Sequence, residues 1–263
     1  MKLSLVAAGD RLVLPLGGVR GDWIVKFPDA ALPHLPVVEH LTMQVARRVG
    51  IEVPSIKLLH RDEVPETPST LWAAGEELAF GIERFDRAPD RTSIHIEDFA
   101  QVRGVWPSQK YDGRYEVLAA LTHRGHDWDS LRELVRRLIF NVLVDNSDAH
   151  LKNFSLIYRD PRRPVLAPAY DIVSVAPYDG YGGEMALSLG GNRRPARMRV
   201  ADFGRLARGT DVSAEELVDV AALVVRSVEE AWEAALDEHP VELPASVSAM
   251  GEVIAERVRS LVG

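Results

Sequence analysis

An α+β chain of two lobes, a small β-rich one followed by a larger α-helical one, is what the sequence predicts. Three observations carry that expectation. Strand-like runs punctuated by turn residues fill the N-terminal third. From about residue 113 the apolar residues recur at helical spacing. Neither an internal repeat nor a low-complexity linker separates the halves, so lobes at 1–88 and 89–263 are expected to pack as one unit with a cleft between them. A chain of 263 residues buries roughly 73% of its unfolded surface, enough for a core without staples.

The elements follow in order. Lys2 to Val6 and Arg11 to Leu14 read as strands around the small-residue turn Val6-Ala7-Ala8-Gly9, and Asp22 to Phe27 as a third before Pro28. Gly17-Gly18-Val19-Arg20-Gly21 reads as a hairpin turn rather than a dinucleotide fingerprint, because it precedes a strand. Val37 to Val49, with Val38, Leu41, Val45 and Val49 on one face and Gly50 after them, predicts a helix. Strand-like runs follow at Ser55 to Leu59, Thr70 to Trp72 and Glu77 to Ile82. Helices are then predicted over Tyr115 to Thr122 and Ser130 to Val144, the second with Asp129 as N-cap. Phe154 to Tyr158 and Val165 to Ala167 predict a hairpin, and 200–209, 213–237 and 245–262 predict helices.

Composition excludes several chemistries. The chain has no cysteine, so disulfides, thiolate zinc sites and cysteine nucleophiles are absent. G-x-S-x-G, HExxH and Walker A patterns do not occur. The apolar run from Met1 stops at Asp10 and Arg11, short of an export signal, and no stretch approaches the roughly 20 apolar residues of a membrane span. A cytoplasmic protein with no membrane partner is expected. The net charge of −8 is concentrated at the C-terminal end, where residues 211–263 hold 3 Lys and Arg against 12 Asp and Glu. Arg193, Arg194, Arg197 and Arg199 form the one basic cluster, read as a solvated or phosphate-handling loop; direct nucleic-acid binding is not expected. The acidic outer face of the 213–237 helix is read as the solvent side of a core-packing helix.

Polar residues crowd one place, Asp145-Asn146-Ser147-Asp148-Ala149-His150-Leu151-Lys152-Asn153, directly after the long helix. Asp148 and Asn153 have the spacing of a kinase catalytic loop, in which the Asp takes the proton of the acceptor hydroxyl and the Asn holds magnesium. That pair alone is a weak signal. A hairpin follows, then Tyr170-Asp171-Ile172 supplies an acidic residue where a kinase has its second metal-binding Asp. Upstream, Lys26 ends a strand and Glu39 lies early in the next helix, as in the pair that fixes the α and β phosphates. Each residue singly has a plainer reading: edge-strand charge, solvated helix residue, turn former or N-cap. Taken together and in this order they favour a two-lobed protein-kinase-like fold.

The sequence also resembles the HipA-like serine/threonine kinases of bacterial toxin-antitoxin systems. The resemblance lies in Trp23-Ile24-Val25-Lys26-Phe27-Pro28, Gly81-Ile82-Glu83-Arg84-Phe85-Asp86-Arg87, His95-Ile96-Glu97-Asp98-Phe99-Ala100-Gln101, Asp148 to Ser155 and Ala169 to Ser174. It implies ATP and Mg2+ as cofactors, with Asp148 as catalytic base and His150 and Lys152 near the transferring phosphoryl group. It further implies Asn153 and Asp171 on magnesium, Lys26 on phosphates, and Glu83, Arg84 and Phe85 as the hinge that binds adenine. The segment Ser4 to Arg11 aligns with the family's ATP-covering loop, placing Ala8 and Arg11 near the nucleotide and Ser4 at a position of autophosphorylation. Ala7 stands where a glycine is usual and Gly9 where a glutamine is usual. The resemblance implies a toxin acting on a translation-related protein such as an aminoacyl-tRNA synthetase, an antitoxin partner, and a short form whose N-terminal subdomain is absent or a separate protein. Two rivals are a catalytically impaired kinase-fold binding module and a small-molecule phosphotransferase of the aminoglycoside type.

Two stretches imitate kinase motifs. Asp202-Phe203-Gly204 lies far beyond Asn153 and is read as N-cap, core aromatic and surface glycine. His123-Arg124-Gly125-His126-Asp127 lacks an Asn at the needed distance and is read as a solvated loop between helices.

Overall fold

The computed structural model describes residues 1–263 apart from Asp10, Gly18 and Glu66, and apart from the side chain of Ala74. Asp10 of the expected nucleotide loop and Gly18 of the expected turn therefore lie outside the described residues. Five strands, β1 (Lys2–Ala8), β2 (Arg11–Val13), β3 (Trp23–Lys26), β4 (Ile56–His60) and β5 (Leu78–Glu83), form one antiparallel sheet in the order β2-β1-β3-β5-β4. Alternation decides which face is buried: Leu5, Val25, Leu59 and Ala79 point into a small core closed by Phe27 and Trp72, whose rings meet edge to face at 5.1 Å. On the other face Phe80 and Ile82 join the main core.

Helix α1 (Leu35–Arg48) lies between that sheet and the helical lobe. Pro36 in its first turn fits a position where an N–H has no intrahelical partner. The expected apolar stripe Val38, Leu41 and Val45 is buried, and so are Glu39, His40, Thr42 and Met43, because α1 is covered on both sides.

The helical lobe is built around α4 (Trp128–Leu143), whose Leu131, Leu134, Val135, Leu138, Ile139 and Phe140 are fully buried. At about 1.5–3 kcal/mol for each large apolar side chain taken out of water, this helix is the main hydrophobic anchor of the lobe. Around it pack α3 (Tyr115–His123), α5 (Ala214–Asp237) and α6 (Ser248–Val262), while the short α2 (Phe99–Val102) packs beside the polar loop at Leu151–Asn153. A second sheet, β6 (Ile96–Asp98), β7 (Ser155–Ile157) and β8 (Val165–Leu166) in that order, holds the expected hairpin as β7–β8. None of the described helices is long and apolar enough to cross a membrane.

Several local expectations are corrected. Thr70 to Trp72 is not a strand: Ser69–Leu71 and Ala73–Gly75 are 3-10 turns, and Trp72 is apolar because it plugs the small core. The cap of α4 is Asp127, whose Oδ1 accepts the Ser130 N–H at 3.0 Å; Asp129 is exposed inside the first turn. The segment joining β2 to β3 is no hairpin turn, since the two strands flank β1 from opposite sides and the connection crosses β1 beside Ser4 and Leu5. Gly21 permits that crossing, because a Cβ there would lie 2.8 Å from the Leu5 carbonyl oxygen. Residues Val200–Ala207 form a 3-10 helix, in which Asp202 is the third residue rather than the cap and Gly204 is buried, with an added Cβ only 3.2 Å from that of Ala214. His123 is buried rather than solvated and pairs with Asp211 at 2.5 Å. The 245–262 helix splits into a 3-10 turn, Ala245–Val247, and α6.

Candidate active site

A cleft of about 620 Å³ separates the sheet from the helical lobe, lined from above by Lys2, Ile24, Lys26 and Ile82 and from below by His150, Lys152, Asn153 and Asp171. Lys26 closes β3 and aims its ammonium at this cleft. Nζ donates to Glu39 Oε1 of α1 at 2.5 Å and also to Asp171 Oδ1. Asp171 Oδ2 accepts from Asn153 Nδ2 at 2.7 Å, and Asn153 Oδ1 accepts the His150 N–H at 3.1 Å. A chain of polar contacts, Glu39 to Lys26 to Asp171 to Asn153, thus spans the cleft from α1 to the polar loop. Asp171 adopts a left-handed backbone, φ 59°, which Asp tolerates better than most residues and which aims both carboxylate oxygens at these partners.

One ammonium between two carboxylates sets the charges. Burial alone would lower the Lys26 pKa, but Glu39 and Asp171 outweigh it and hold Lys26 well above its ordinary value. Burial pushes Glu39 up to about 7, with Lys26 opposing. The enclosing cleft walls work to raise Asp171, yet Lys26 keeps it below the usual carboxylate range. The excess negative charge is therefore least tolerated at Glu39, which is 3% exposed, and best tolerated at Asp171, whose side chain is 46% exposed.

Asp148 stands beside this chain with 58% of its side chain accessible. Its Oδ1 accepts the Tyr111 hydroxyl at 2.7 Å, and its Oδ2 lies 3.7 Å from His150 Nε2. Burial holds the His150 imidazole below its ordinary pKa, so it is neutral at pH 7. Lys152 lines the cleft with its Nζ on Asp98 Oδ2 at 2.6 Å, which balances its charge.

Glu83, Arg84 and Phe85 line the cleft at the end of β5. Arg84 forks onto Asp86 through Nε at 2.9 Å and Nη2 at 2.6 Å, Arg87 adds a third contact at 2.8 Å, and Phe85 packs on Tyr170 at 5.6 Å between ring centroids. Burial works against the ionised Asp86, but these arginines keep its carboxyl low. Ala8 and Arg11 face each other across the β1–β2 turn, both exposed, and Ser4 pairs in register with Ile24; none of the three lines the cleft. The base of that turn is fixed by Asp22, which accepts the Ala7 N–H at 2.8 Å and pairs with Arg91 at 2.9 Å. Sequence reasoning missed Lys2, Asp86, Asp98, Lys110, Tyr111 and Tyr170. Asp98 and Asp86 stood inside the noted blocks without a role, and Tyr170 adjoins Asp171. Nothing in the sequence singled out Tyr111.

The family model of the HipA-like C-terminal domain matches residues 1–232. A Sinorhizobium fredii protein named "Putative kinase Y4dM" is 38% identical over 228 residues, covering 86% of this chain and 55% of that protein. The serine/threonine-protein kinase toxin HipA of Shewanella oneidensis is 26% identical over 216 residues, covering 72% of this chain and 45% of that protein. The chain spans about half the length of the curated relatives it matches. Among solved structures, Shewanella oneidensis HipA, in a complex with HipB and operator DNA, superposes with a TM-score of 0.79 at 22% identity over 98% of this chain and 62% of that one. The Helicobacter pylori proinflammatory kinase CtkA superposes with a TM-score of 0.63 at 12% identity over 98% of this chain and 87% of that one. The fold is kinase-like, and the chain belongs to the HipA-like kinase family.

Proposed function

We propose that the chain is an ATP-dependent serine/threonine protein kinase, with lobes at 1–88 and 89–263, that transfers the γ-phosphoryl group of ATP to a protein hydroxyl. The observation that carries this reading is the polar chain from Glu39 through Lys26 and Asp171 to Asn153, which brings residues 145 positions apart in sequence onto one cleft. Lys26, held charged and aimed by Glu39, grips phosphate oxygens. Asp171 and Asn153 offer a carboxylate and an amide side by side, the hard oxygen donors that suit Mg2+ together with phosphate and water. They would hold the ion, which supplies neutralisation of phosphate charge when bound. Asp148 orients the acceptor hydroxyl and takes its proton, with neutral His150 and charge-balanced Lys152 beside it. Glu83, Arg84 and Phe85 form the adenine side of the cleft.

Family membership supports a toxin acting on a translation-related protein such as an aminoacyl-tRNA synthetase, and the HipB-bound relative supports an antitoxin partner. Retention of Lys26, Asp148, Asn153 and Asp171 together speaks against an impaired binding module. Transfer from radiolabelled Mg-ATP is expected in the wild-type chain and absent in Asp148→Asn, with nucleotide binding preserved. A variant keeping more than about a tenth of wild-type turnover removes Asp148 as the base, given the usual contribution of general-base catalysis.

A further inference from the structure

Beside Asp148 the fold holds a hydroxyl that the proposed reaction does not use. Tyr111 lies between α2 and α3, 39% exposed, and its hydroxyl donates to Asp148 Oδ1 at 2.7 Å. Its ring meets that of His150 edge to face at 5.4 Å, and Lys110 Nζ sits 4.8 Å from its centroid. The bond to Asp148 raises the phenol pKa, so Tyr111 remains a donor at neutral pH.

The segment is pinned by three other parts of the fold. The Lys110 carbonyl accepts the Leu151 N–H at 3.1 Å, the Tyr111 carbonyl accepts Arg193 Nη2 at 2.9 Å, and the Asp112 carbonyl accepts Arg103 Nη1 at 2.5 Å. Three successive carbonyls held in this way tie the backbone at and around the tyrosine to neighbouring segments. One oxygen of Asp148 is thus occupied by a fixed donor, and the other, Oδ2, faces His150 Nε2.

We propose that Tyr111 is a positioning residue that fixes the Asp148 carboxylate so that the acceptor hydroxyl is received at Oδ2. This rests on Asp148 as the base. In that reading the acceptor O–H proton passes to Oδ2 while the new O–P bond forms and ADP departs with the electrons of the broken bond. Arg193, from the arginine cluster noted in the sequence, acts through the Tyr111 backbone.

The test compares wild type, Tyr111→Phe and Asp148→Asn as full chains, using radiolabelled Mg-ATP with three acceptors: myelin basic protein, the chain itself and water. Tyr111→Phe is expected to lower kcat about tenfold to a hundredfold, the range for losing a hydrogen bond to a charged group, with the KM for ATP and the Tm unchanged. A change in KM alone, or turnover equal to or above wild type, overturns the positioning role. So does mass spectrometry that finds phosphate on Tyr111, which would make the phenol an acceptor. If wild type transfers, Asp148→Asn does not and Tyr111→Phe matches wild type, the positioning role fails and the kinase reading stands. A wild type inert toward all three acceptors overturns both.

Discussion

Arg257, near the end of α6, lies against Asp145, three residues before Asp148: Arg257 Nη2 is 3.7 Å from Asp145 Oδ1, and both residues are more than nine-tenths buried. The C-terminal helix, beyond the residue at which the family match ends, is thereby tied to the start of the polar loop. Burial raises the Asp145 carboxyl pKa and Arg257 opposes this. Arg257→Gln leaves a buried carboxylate without its cation, and the expected loss is about 3 kcal/mol of unfolding free energy in urea. Asp145→Asn added to that variant is expected to restore a large part. With its folded pKa raised, Asp145 binds protons more tightly in the folded state, so the loss is greatest at neutral pH and shrinks as pH falls. A double variant no more stable than Arg257→Gln alone contradicts the pairing.

Asp171 has one oxygen on Lys26 and the other on Asn153. Asp171→Ala is expected to abolish the magnesium dependence of nucleotide binding while freeing Lys26, so that ATP without magnesium binds no more weakly than to wild type. Asn153→Ala is expected to weaken magnesium-dependent binding and to leave Lys26 paired. Calorimetry with and without Mg2+ checks both. Unchanged Mg-ATP affinity in the two variants would end the metal assignment.

Glu39 gives a pH prediction. Its ordinary value of 4.5 is raised to about 7 in the folded chain, chiefly by burial. Between those values the unfolded state has released a proton that the folded state keeps, so wild-type stability falls as pH rises from about 4.5 to 7, by roughly 3 kcal/mol. Glu39→Gln is expected to flatten that slope in urea titrations at successive pH values while weakening ATP binding, because Lys26 loses its support from α1. An identical slope in variant and wild type shows that Glu39 does not titrate in this window.

What the sequence revealed, and what it hid, follows from the range of the interactions. Lys26, Glu39, Asn153 and Asp171 were legible because their residue types fall in the kinase order along the chain, although each alone resembled an ordinary surface residue and across the cleft they are linked in a different order, Glu39 to Lys26 to Asp171 to Asn153. The main helices were legible because Leu131, Leu134, Leu138 and their neighbours repeat at helical spacing. Thr70 to Trp72 misled because three strand-favouring residues sit where a tertiary contact with Phe27 wanted one large ring. Gly204 was buried by a close approach of two helical segments that no local pattern announces. Tyr111 was invisible for the same reason: its hydrogen bond reaches 37 residues along the chain, and an exposed tyrosine in a loop has no periodicity to betray it.

Ser4 yields the prediction that most exposes the family reading to failure. The residue is not on a frayed end: it pairs with Ile24 inside the sheet, yet stays exposed. Its hydroxyl lies where the segment joining β2 to β3 crosses β1, so close that a Cβ on Gly21 would overlap it, and the Asp22 N–H bonds the neighbouring Leu5 carbonyl at 2.9 Å. A phosphate on Ser4 adds a charge of about −1.5 to −2 and a bulk that this crossing cannot hold. It must displace the segment and disturb Asp22, whose carboxylate fixes the turn next to Ala8. Incubation with Mg-ATP is expected to add phosphate at Ser4 in wild type but not in Asp148→Asn. Ser4→Asp is expected to weaken ATP binding roughly tenfold, equivalent to about 1.4 kcal/mol. Finding Ser4 unmodified by mass spectrometry in active, ATP-treated protein removes self-inactivation at this residue, since the crossing segment would then be a fixed part of the sheet rather than a switch.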